Sequence, residues 1–176
     1  MKLLGLLLSL ALAQPAFAGA TTDELRTELV QSVSQNRWAQ AERAFQSLSE
    51  SKAKMTQADW VMGAQTARAM GDMTAARERL VASLKITEDE AVQAELDAID
   101  AAWSMVSLKL AKDHEGAVPL RPRMPFVDPV QRQALEVAKK ALSNDGRFQG
   151  LLPVGGYRFG QGEFEVMPGE ATKAKL

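Results

Sequence analysis

The side chains that could carry out chemistry are few in this chain of 176 residues. It has a single histidine, His114, and no cysteine. A thiol nucleophile is therefore absent, and a zinc site or a Ser-His-Asp triad would depend on that one imidazole. The sequence also lacks a G-x-S-x-G, a P-loop and an H-E-x-x-H motif. We therefore expect a non-enzymatic protein with no catalytic residue, no metal site and no cofactor.

Carboxylates are the remaining candidates for chemistry. Glu88, Asp89 and Glu90 open a predicted helix, where the helix dipole stabilises negative charge, and this run lacks the alternating spacing of a calcium loop. Asp97 and Asp100 could flank a sugar as a glycosidase pair does, but a solvated helix face is the preferred explanation. A carboxylate-dependent hydrolase is therefore the least favoured of the functions considered.

The first 18 residues have the layout of a secretory signal peptide. Lys2 precedes an apolar run over residues 3–13, and Ala16 and Ala18 are the small residues of a cleavage site. The run is well short of the roughly 20 residues that a spanning helix needs, which disfavours a membrane anchor. We expect cleavage after Ala18, export to the periplasm or the cell exterior, and no membrane span in the mature chain.

Composition divides the rest of the chain into two parts. Good helix formers dominate up to about residue 111, and Gly, Pro and turn-forming segments cluster after it. The formal net charge of −1 gives no general attraction to nucleic acid, so we expect no nucleic-acid partner. Without cysteines, packing alone must hold the fold together.

The helical part contains two similar segments. Each has a residue that tolerates positive φ, a small residue five positions later, and a large apolar residue four positions after that. The matched pairs, each separated by 35 residues, are Asn36 and Gly71, Ala41 and Ala76, and Phe45 and Leu80.

This 35-residue similarity resembles the tetratricopeptide repeat (TPR) family, whose unit is two antiparallel helices in about 34 residues. The resemblance implies TPR-like hairpins over residues 19–112, and Trp60 stands near the start of a unit, where the family favours a large aromatic residue. It also implies a concave surface that binds a protein or peptide. The contributing residues would be Arg37, Trp38, Arg68 and Arg77. An ordinary helix bundle is the alternative.

Helix starts and an apolar stripe complete the helical part. Segments that resemble capping boxes begin at Thr21, Thr56 and Thr87. After Thr87, apolar residues at spacings of three and four predict a helix of about 24 residues. The stripe consists of Val92, Leu96, Ile99, Trp103, Val106 and Leu110. We expect this long helix to cap the hairpins with Trp103 buried; a dimeric coiled-coil seam is the alternative.

A proline-rich linker follows over residues 113–128. Its prolines disfavour both helix and sheet pairing, so we expect an extended tether pinned along the body by its apolar residues. A Pro-rich peptide that binds a partner is the alternative. Asp128 and Pro129 then predict the cap and first turn of a helix over residues 129–145.

The last part of the chain changes to β periodicity. Residues 146–169 predict a small β motif with a hairpin, in which Arg158 meets Glu163 or Glu165 on the solvent side. Residues 170–176 predict a disordered tail.

The segment 152–157 resembles the β motif of PEGA-type domains in bacterial envelope proteins. This resemblance gives an alternative function, which is binding of envelope polysaccharide through Tyr157, Arg158 and Phe159. The preferred prediction is a mainly α protein in which a long helix caps TPR-like hairpins and a small β-hairpin or three-stranded appendage follows. We expect it to act as an exported interaction or scaffold protein of the bacterial cell envelope, with a protein or peptide partner there.

Overall fold

A computed structural model describes residues 20–111 and 118–175 of the chain. In this part the chain is mainly α, with two small sheets built mostly from its C-terminal third. The helices are α1 (Thr22–Ser34), α2 (Trp38–Glu50), α3 (Gln57–Ala69), α4 (Met73–Leu84), α5 (Glu90–Ala102) and α6 (Pro129–Asp145). The strands are β1 (Trp103–Lys109), β2 (Leu120–Pro122), β3 (Arg147–Pro153), β4 (Gly155–Phe159), β5 (Gly162–Val166) and β6 (Thr172–Lys175). The predicted signal peptide and His114 lie outside the described residues.

Capping boxes begin α1 and α3, as the sequence predicts. The Thr21 hydroxyl accepts a hydrogen bond from the Glu24 N–H, and the Glu24 carboxylate accepts one from the Thr21 N–H at 2.7 Å. The Thr21 N–H and the Thr21 hydroxyl both donate to the Glu24 carboxylate, and these two bonds lower the pKa of Glu24. Thr56 and Asp59 form the same pair of bonds at the start of α3. Each box satisfies main-chain donors that the first helical turn leaves unpaired.

The turns α1–α2 and α3–α4 share one hydrogen-bond pattern. Asn36 has φ 55° and Gly71 has φ 79°. Four main-chain bonds of 2.8 to 3.0 Å close the two turns, with N–H donors first: Asn36 to Val33, Arg37 to Ser32, Gly71 to Arg68, and Asp72 to Ala67. Each pair of bonds is a Schellman motif, in which a residue at positive φ ends the helix. The two turns are thus equivalent at the predicted 35-residue offset.

The matched apolar positions are buried in the helical core. Ala41 and Phe45 of α2 pack with Leu25 and Leu29 of α1. Ala76 and Leu80 of α4 belong to a second cluster, which also contains Val92, Leu96, Ile99 and Trp103. Burying each large side chain stabilises the fold by roughly 1.5–3 kcal/mol.

The predicted helix of about 24 residues is wrong. Helix α5 ends at Ala102, and its cap is Asp89 rather than Thr87, since the Asp89 carboxylate accepts hydrogen bonds from two N–H groups of the first turn. From Trp103 onward the chain is strand β1, in which buried Val106 and Leu108 alternate with exposed Met105 and Ser107. No long helix therefore caps the hairpins; α5 packs on α4 and then passes into a sheet.

Strand β1 is the centre of one sheet, with order β3-β1-β6, and the second sheet has order β2-β4-β5. The β part is thus two three-stranded sheets and recruits β1 and β2 from upstream of α6. The predicted hairpin is β4–β5, and Arg158 meets Glu163 there at 2.8 Å, as expected.

Two segments predicted to lack sheet pairing are strands. Leu120–Pro122 of the linker pairs with β4 at the edge of its sheet, where a proline at the strand end removes no needed donor. Thr172–Lys175, predicted to be disordered, is β6 and runs parallel to β1. Ala174 packs against the apolar cluster beneath that sheet, which anchors the segment.

Helix α6 has the predicted bounds. The Asp128 carboxylate accepts a hydrogen bond from the Val130 N–H at 2.8 Å, and Gly146 ends the helix with φ 65°. Its buried face, which includes Leu135 and Leu142, packs with β1 and β3 in a third apolar cluster, separate from the two in the helical core.

Candidate functional site

A cleft of about 1300 Å³ lies beside strand β3, between the N-terminal end of α4 and helix α6. We call it the β3 cleft. Its walls include Thr74 and Glu78 of α4, Val137 and Ala141 of α6, and Phe148 and Gln149 of β3. Lys109 at the end of β1 and Arg147 at the start of β3 also line it.

Close contacts of the α3–α4 turn hold the walls of this cleft in place. A Cβ atom on Gly71 would lie 2.7 Å from the main-chain nitrogen of Ala134, so the turn rests directly on the α6 backbone. The Thr74 hydroxyl accepts a hydrogen bond from the Leu151 N–H at 2.9 Å. Gly150 permits this approach, because a Cβ there would lie 2.8 Å from Thr74 Oγ1. The hairpin is thereby fixed to both α6 and β3.

Strand β3 presents an unpaired edge to the cleft. Its other edge pairs with β1, whereas the Leu151 N–H points away from β1 to Thr74. Alternate residues of an antiparallel strand turn their main-chain groups to the same side. Those of Arg147 and Gln149 therefore also point into the cleft. Apart from hydrogen bonds within the β1–β3 ladder, no hydrogen bond to the main-chain N–H or C=O of Gln149 is found among the described residues.

The carboxylates considered as catalytic candidates have structural partners. Asp97 accepts a hydrogen bond from Gln93, and Asp100 forms an ion pair with Arg77 at 2.6 Å. The hydrogen bond to Asp100 raises the pKa of Arg77. Asp89 is occupied as the cap of α5. Within residues 20–111 and 118–175, no group of three His, Asp or Glu side chains is placed to hold a metal ion.

The four side chains predicted to form a concave binding surface make no hydrogen bond or ion pair with one another in the residues that the structure describes. Arg37 is exposed in the α1–α2 turn, and Trp38 is half-buried at the start of α2. Arg68 is exposed at the end of α3 beside a smaller cavity of about 160 Å³. Arg77 is engaged with Asp100. In the described part of the chain, no side-chain hydrogen bond or ion pair links any of these four residues to another.

The three residues predicted to bind polysaccharide differ in their access to solvent. Tyr157 is fully buried: its hydroxyl donates to the Pro153 carbonyl at 2.7 Å, and its ring stacks on Phe164. It cannot contact a ligand at the surface, because its polar tip and apolar ring are both enclosed. Arg158 is exposed and paired with Glu163, and Phe159 is half-buried.

Sequence reasoning missed the β3 cleft. Its walls come from three segments that are distant in sequence, within 71–78, 107–109 and 137–151, and the positions that bring them together are Gly71, Thr74 and Gly150. The available signal in the sequence was the alternation of apolar and polar residues over 106–109, which is typical of a strand.

None of the described helices has the length and hydropathy needed to cross a bilayer. Comparison of the chain with models of protein families, with curated proteins and with solved structures found no match.

Proposed function

We propose that this chain is a non-enzymatic interaction protein of the bacterial cell envelope that holds an extended peptide segment of a partner in the β3 cleft. The segment would pair with the open edge of β3 as an added strand, a mode in which main-chain hydrogen bonds supply affinity and adjacent pockets supply selectivity. The observation that carries this proposal is the unpaired edge of Arg147 and Gln149 beside a cleft of about 1300 Å³.

The surroundings of that edge favour a peptide over a small substrate. The cleft is open to solvent, with apolar Val137 and Ala141 on one wall and main-chain donors and acceptors along the strand. Exposed edges of sheets are otherwise prone to pairing with other chains and are usually short, charged or covered. This one carries Arg147, and Thr74 already accepts a hydrogen bond from the Leu151 N–H, so the open part of the edge is short.

The helical hairpins support an interaction role. Their equivalent turns and buried alanines agree with a short TPR-like array, and such arrays serve as rigid scaffolds for binding surfaces. Here the second hairpin would act as such a scaffold, because its turn forms one wall of the cleft. The apolar run and A-x-A of the N-terminus support export. Polysaccharide binding through the β motif remains the alternative, carried by Arg158 and Phe159 without Tyr157.

The test removes one main-chain donor from the edge and leaves the fold intact. A library of linear random peptides is selected on the mature chain, and the affinity of each recovered peptide is measured for Gln149→Pro. Proline at an outward-facing edge position removes no hydrogen bond from the β1–β3 pairing. We expect binding to weaken about tenfold or more, as for the loss of one well-formed hydrogen bond.

Gln149→Val is the matched control, because it changes the same side chain and keeps the N–H group. It should bind the selected peptides nearly as well as the unmodified chain. Amide hydrogen exchange gives a second readout, since a bound strand should slow exchange at Gln149. Equal binding by Gln149→Pro, or unchanged exchange at Gln149 with peptide bound, contradicts the proposal.

A further inference from the structure

Four cations lie together on one exposed face of the β3-β1-β6 sheet. Lys109 is directly opposite Arg147 on one side and directly opposite Lys175 on the other. Lys173, two residues before Lys175, projects from the same face because side chains alternate along a strand. All four side chains are exposed. We call these residues the basic face.

The basic face has no ion-pair partner in the described part of the chain, although Glu78 and Asp145 line the β3 cleft with Lys109 and Arg147. None of its four cations lies within ion-pair distance of a carboxylate, whereas six other Lys and Arg residues do. The nearest acidic residue in sequence is Asp145, which lines the β3 cleft with Arg147 but forms no ion pair with it. Like charges directly opposite on neighbouring strands destabilise a sheet. Folding therefore gains nothing from this arrangement.

Protection of sheet edges explains only some of the charges on the basic face. Lysine on an edge strand prevents pairing with other chains, which would account for the charges on β3 and β6. Lys109 is on the central strand, where no edge needs protection. Its position between Arg147 and Lys175 concentrates positive charge in a row across the sheet, although the whole chain carries a net charge of −1.

We propose that the basic face docks on the surface of an anionic phospholipid bilayer. The face belongs to a sheet and lacks converging donors, which suits a wide array of phosphates better than one bound phosphate. Neighbouring strands are about 4.8 Å apart, so the row of Arg147, Lys109 and Lys175 spans roughly 10 Å. Three other side chains lie on this face: Ser107 and Gln149 lie directly beside the cations, and Met105 is the next residue on the same face of β1 beyond Ser107.

These three residues favour a membrane over a nucleic acid. None is aromatic, so the face offers no ring on which a base could stack. Met105 is 38% exposed and gives the face one apolar side chain that can enter the headgroup region. Each Lys or Arg close to an anionic leaflet strengthens binding about fivefold. The basic face shares Lys109 and Arg147 with the β3 cleft, whereas Lys173 and Lys175 do not line it, so substitutions at the latter two test this proposal separately from peptide binding.

The first experiment measures co-sedimentation of the mature chain with vesicles. One set contains phosphatidylglycerol mixed with phosphatidylcholine, and the other contains phosphatidylcholine alone. We expect binding to the first set only, and its loss as NaCl rises from about 0.1 M to about 1 M, where the Debye length falls from about 10 Å to about 3 Å. The double variant Lys173→Gln/Lys175→Gln should bind about 25-fold more weakly.

The control variant Lys52→Gln/Lys85→Gln removes the same charge from exposed positions on the helical part. It should bind as the unmodified chain does. Since the chain has no cysteine, an environment-sensitive dye can be attached at Ser107→Cys alone. Its emission should shift on binding to phosphatidylglycerol vesicles, and that of the same dye at Lys52→Cys should not.

Three results would overturn the proposal. One is failure of the unmodified chain to bind phosphatidylglycerol vesicles. Another is equal weakening by the two double variants, which would indicate a general charge effect. The third is tighter binding to soluble polyphosphate than to vesicles, which would assign the basic face to a soluble polyanion. Retained vesicle binding by Gln149→Pro would separate this face from the β3 edge.

Discussion

The guanidinium of Arg79 on α4 binds the carboxylate of Glu42 on α2 through both terminal nitrogens, at 2.7 and 2.5 Å. It also lies 4.0 Å from the ring centre of Phe45 and donates to the Gly63 carbonyl on α3 at 2.8 Å. The two charged side chains are only 12% and 17% exposed. One cation therefore connects the two helical hairpins, with an aromatic ring beneath it.

Glu42→Ala should reduce the free energy of unfolding by about 2–4 kcal/mol, because it leaves the charge of Arg79 mostly buried without its counter-ion. Urea denaturation with an unchanged slope would measure this loss. The matched control is Asp100→Ala, which breaks the Arg77–Asp100 pair, where the side chains are 40% and 45% exposed. That change should cost less than about 1 kcal/mol. Similar losses in the two variants would contradict the special role of Arg79.

The contact between Gly63 and Phe45 reverses an ordinary expectation. Replacing glycine by alanine inside a helix normally stabilises it by about 1 kcal/mol. At Gly63, however, an added Cβ would overlap the ring of Phe45. Gly63→Ala should therefore destabilise the protein, by about 1–3 kcal/mol, since Phe45 must move within a packed core that also contains Trp60. Thermal unfolding would detect a lower midpoint.

A second substitution separates this clash from a general loss of helix flexibility. In the background of Phe45→Leu, the added methyl group should cost less, so the two changes together should destabilise less than the sum of each alone. Strict additivity would show that the Phe45 ring is not the cause.

Tyr157 should make stability depend on pH in the alkaline range. Burial raises the pKa of its hydroxyl above the ordinary value near 10. Because the folded state then holds the proton more tightly than the unfolded state, this contribution is complete below about pH 10 and is lost as pH rises above it. The loss should approach about 1.4 kcal/mol per pH unit.

Tyr157→Phe isolates this effect from the titration of lysines. The variant should be less stable at pH 7 by about 1–2 kcal/mol, since the Pro153 carbonyl loses its donor, and the difference should shrink above about pH 10. Because Tyr157 is the single tyrosine, absorbance titration reports it alone. Ionisation of the folded protein near pH 10 would contradict the burial.

Local signals in the sequence were enough to predict the helix caps at Thr21, Thr56 and Asp128, both hairpin turns, α6 and the β4–β5 hairpin, although not the cap of α5. Thr21, Thr56 and Asp128 each act on main-chain groups within three residues, so their role needs no knowledge of the rest of the fold. Elements of this kind are decided by local hydrogen bonds and by backbone conformation.

Strands β1 and β6 could not be predicted in the same way. The spacing of Trp103, Val106 and Leu110 fits a helix, and the strand forms because β3 and β6, both distant in sequence, pair with it. The segment of β6 is short and polar and gains order only through that pairing. The β3 cleft and the basic face depend on the same long-range pairing, so they appear only once the sheet is assembled.

Asn36 and Gly71 occupy equivalent positions in the two turns and have similar backbone conformations. Replacing each by the other residue type should nevertheless affect stability differently. Asn36→Gly should change stability by less than about 1 kcal/mol, because glycine adopts positive φ readily. Gly71→Asn, which places the first turn's residue in the second, should cost about 2 kcal/mol or more. Asparagine tolerates the φ, but its Cβ would lie 2.7 Å from main-chain atoms of Gln133 and Ala134 in α6. Chemical denaturation of both variants measures the difference. Equal effects would mean that the second turn does not rest on α6, and the wall of the β3 cleft would then lack its support.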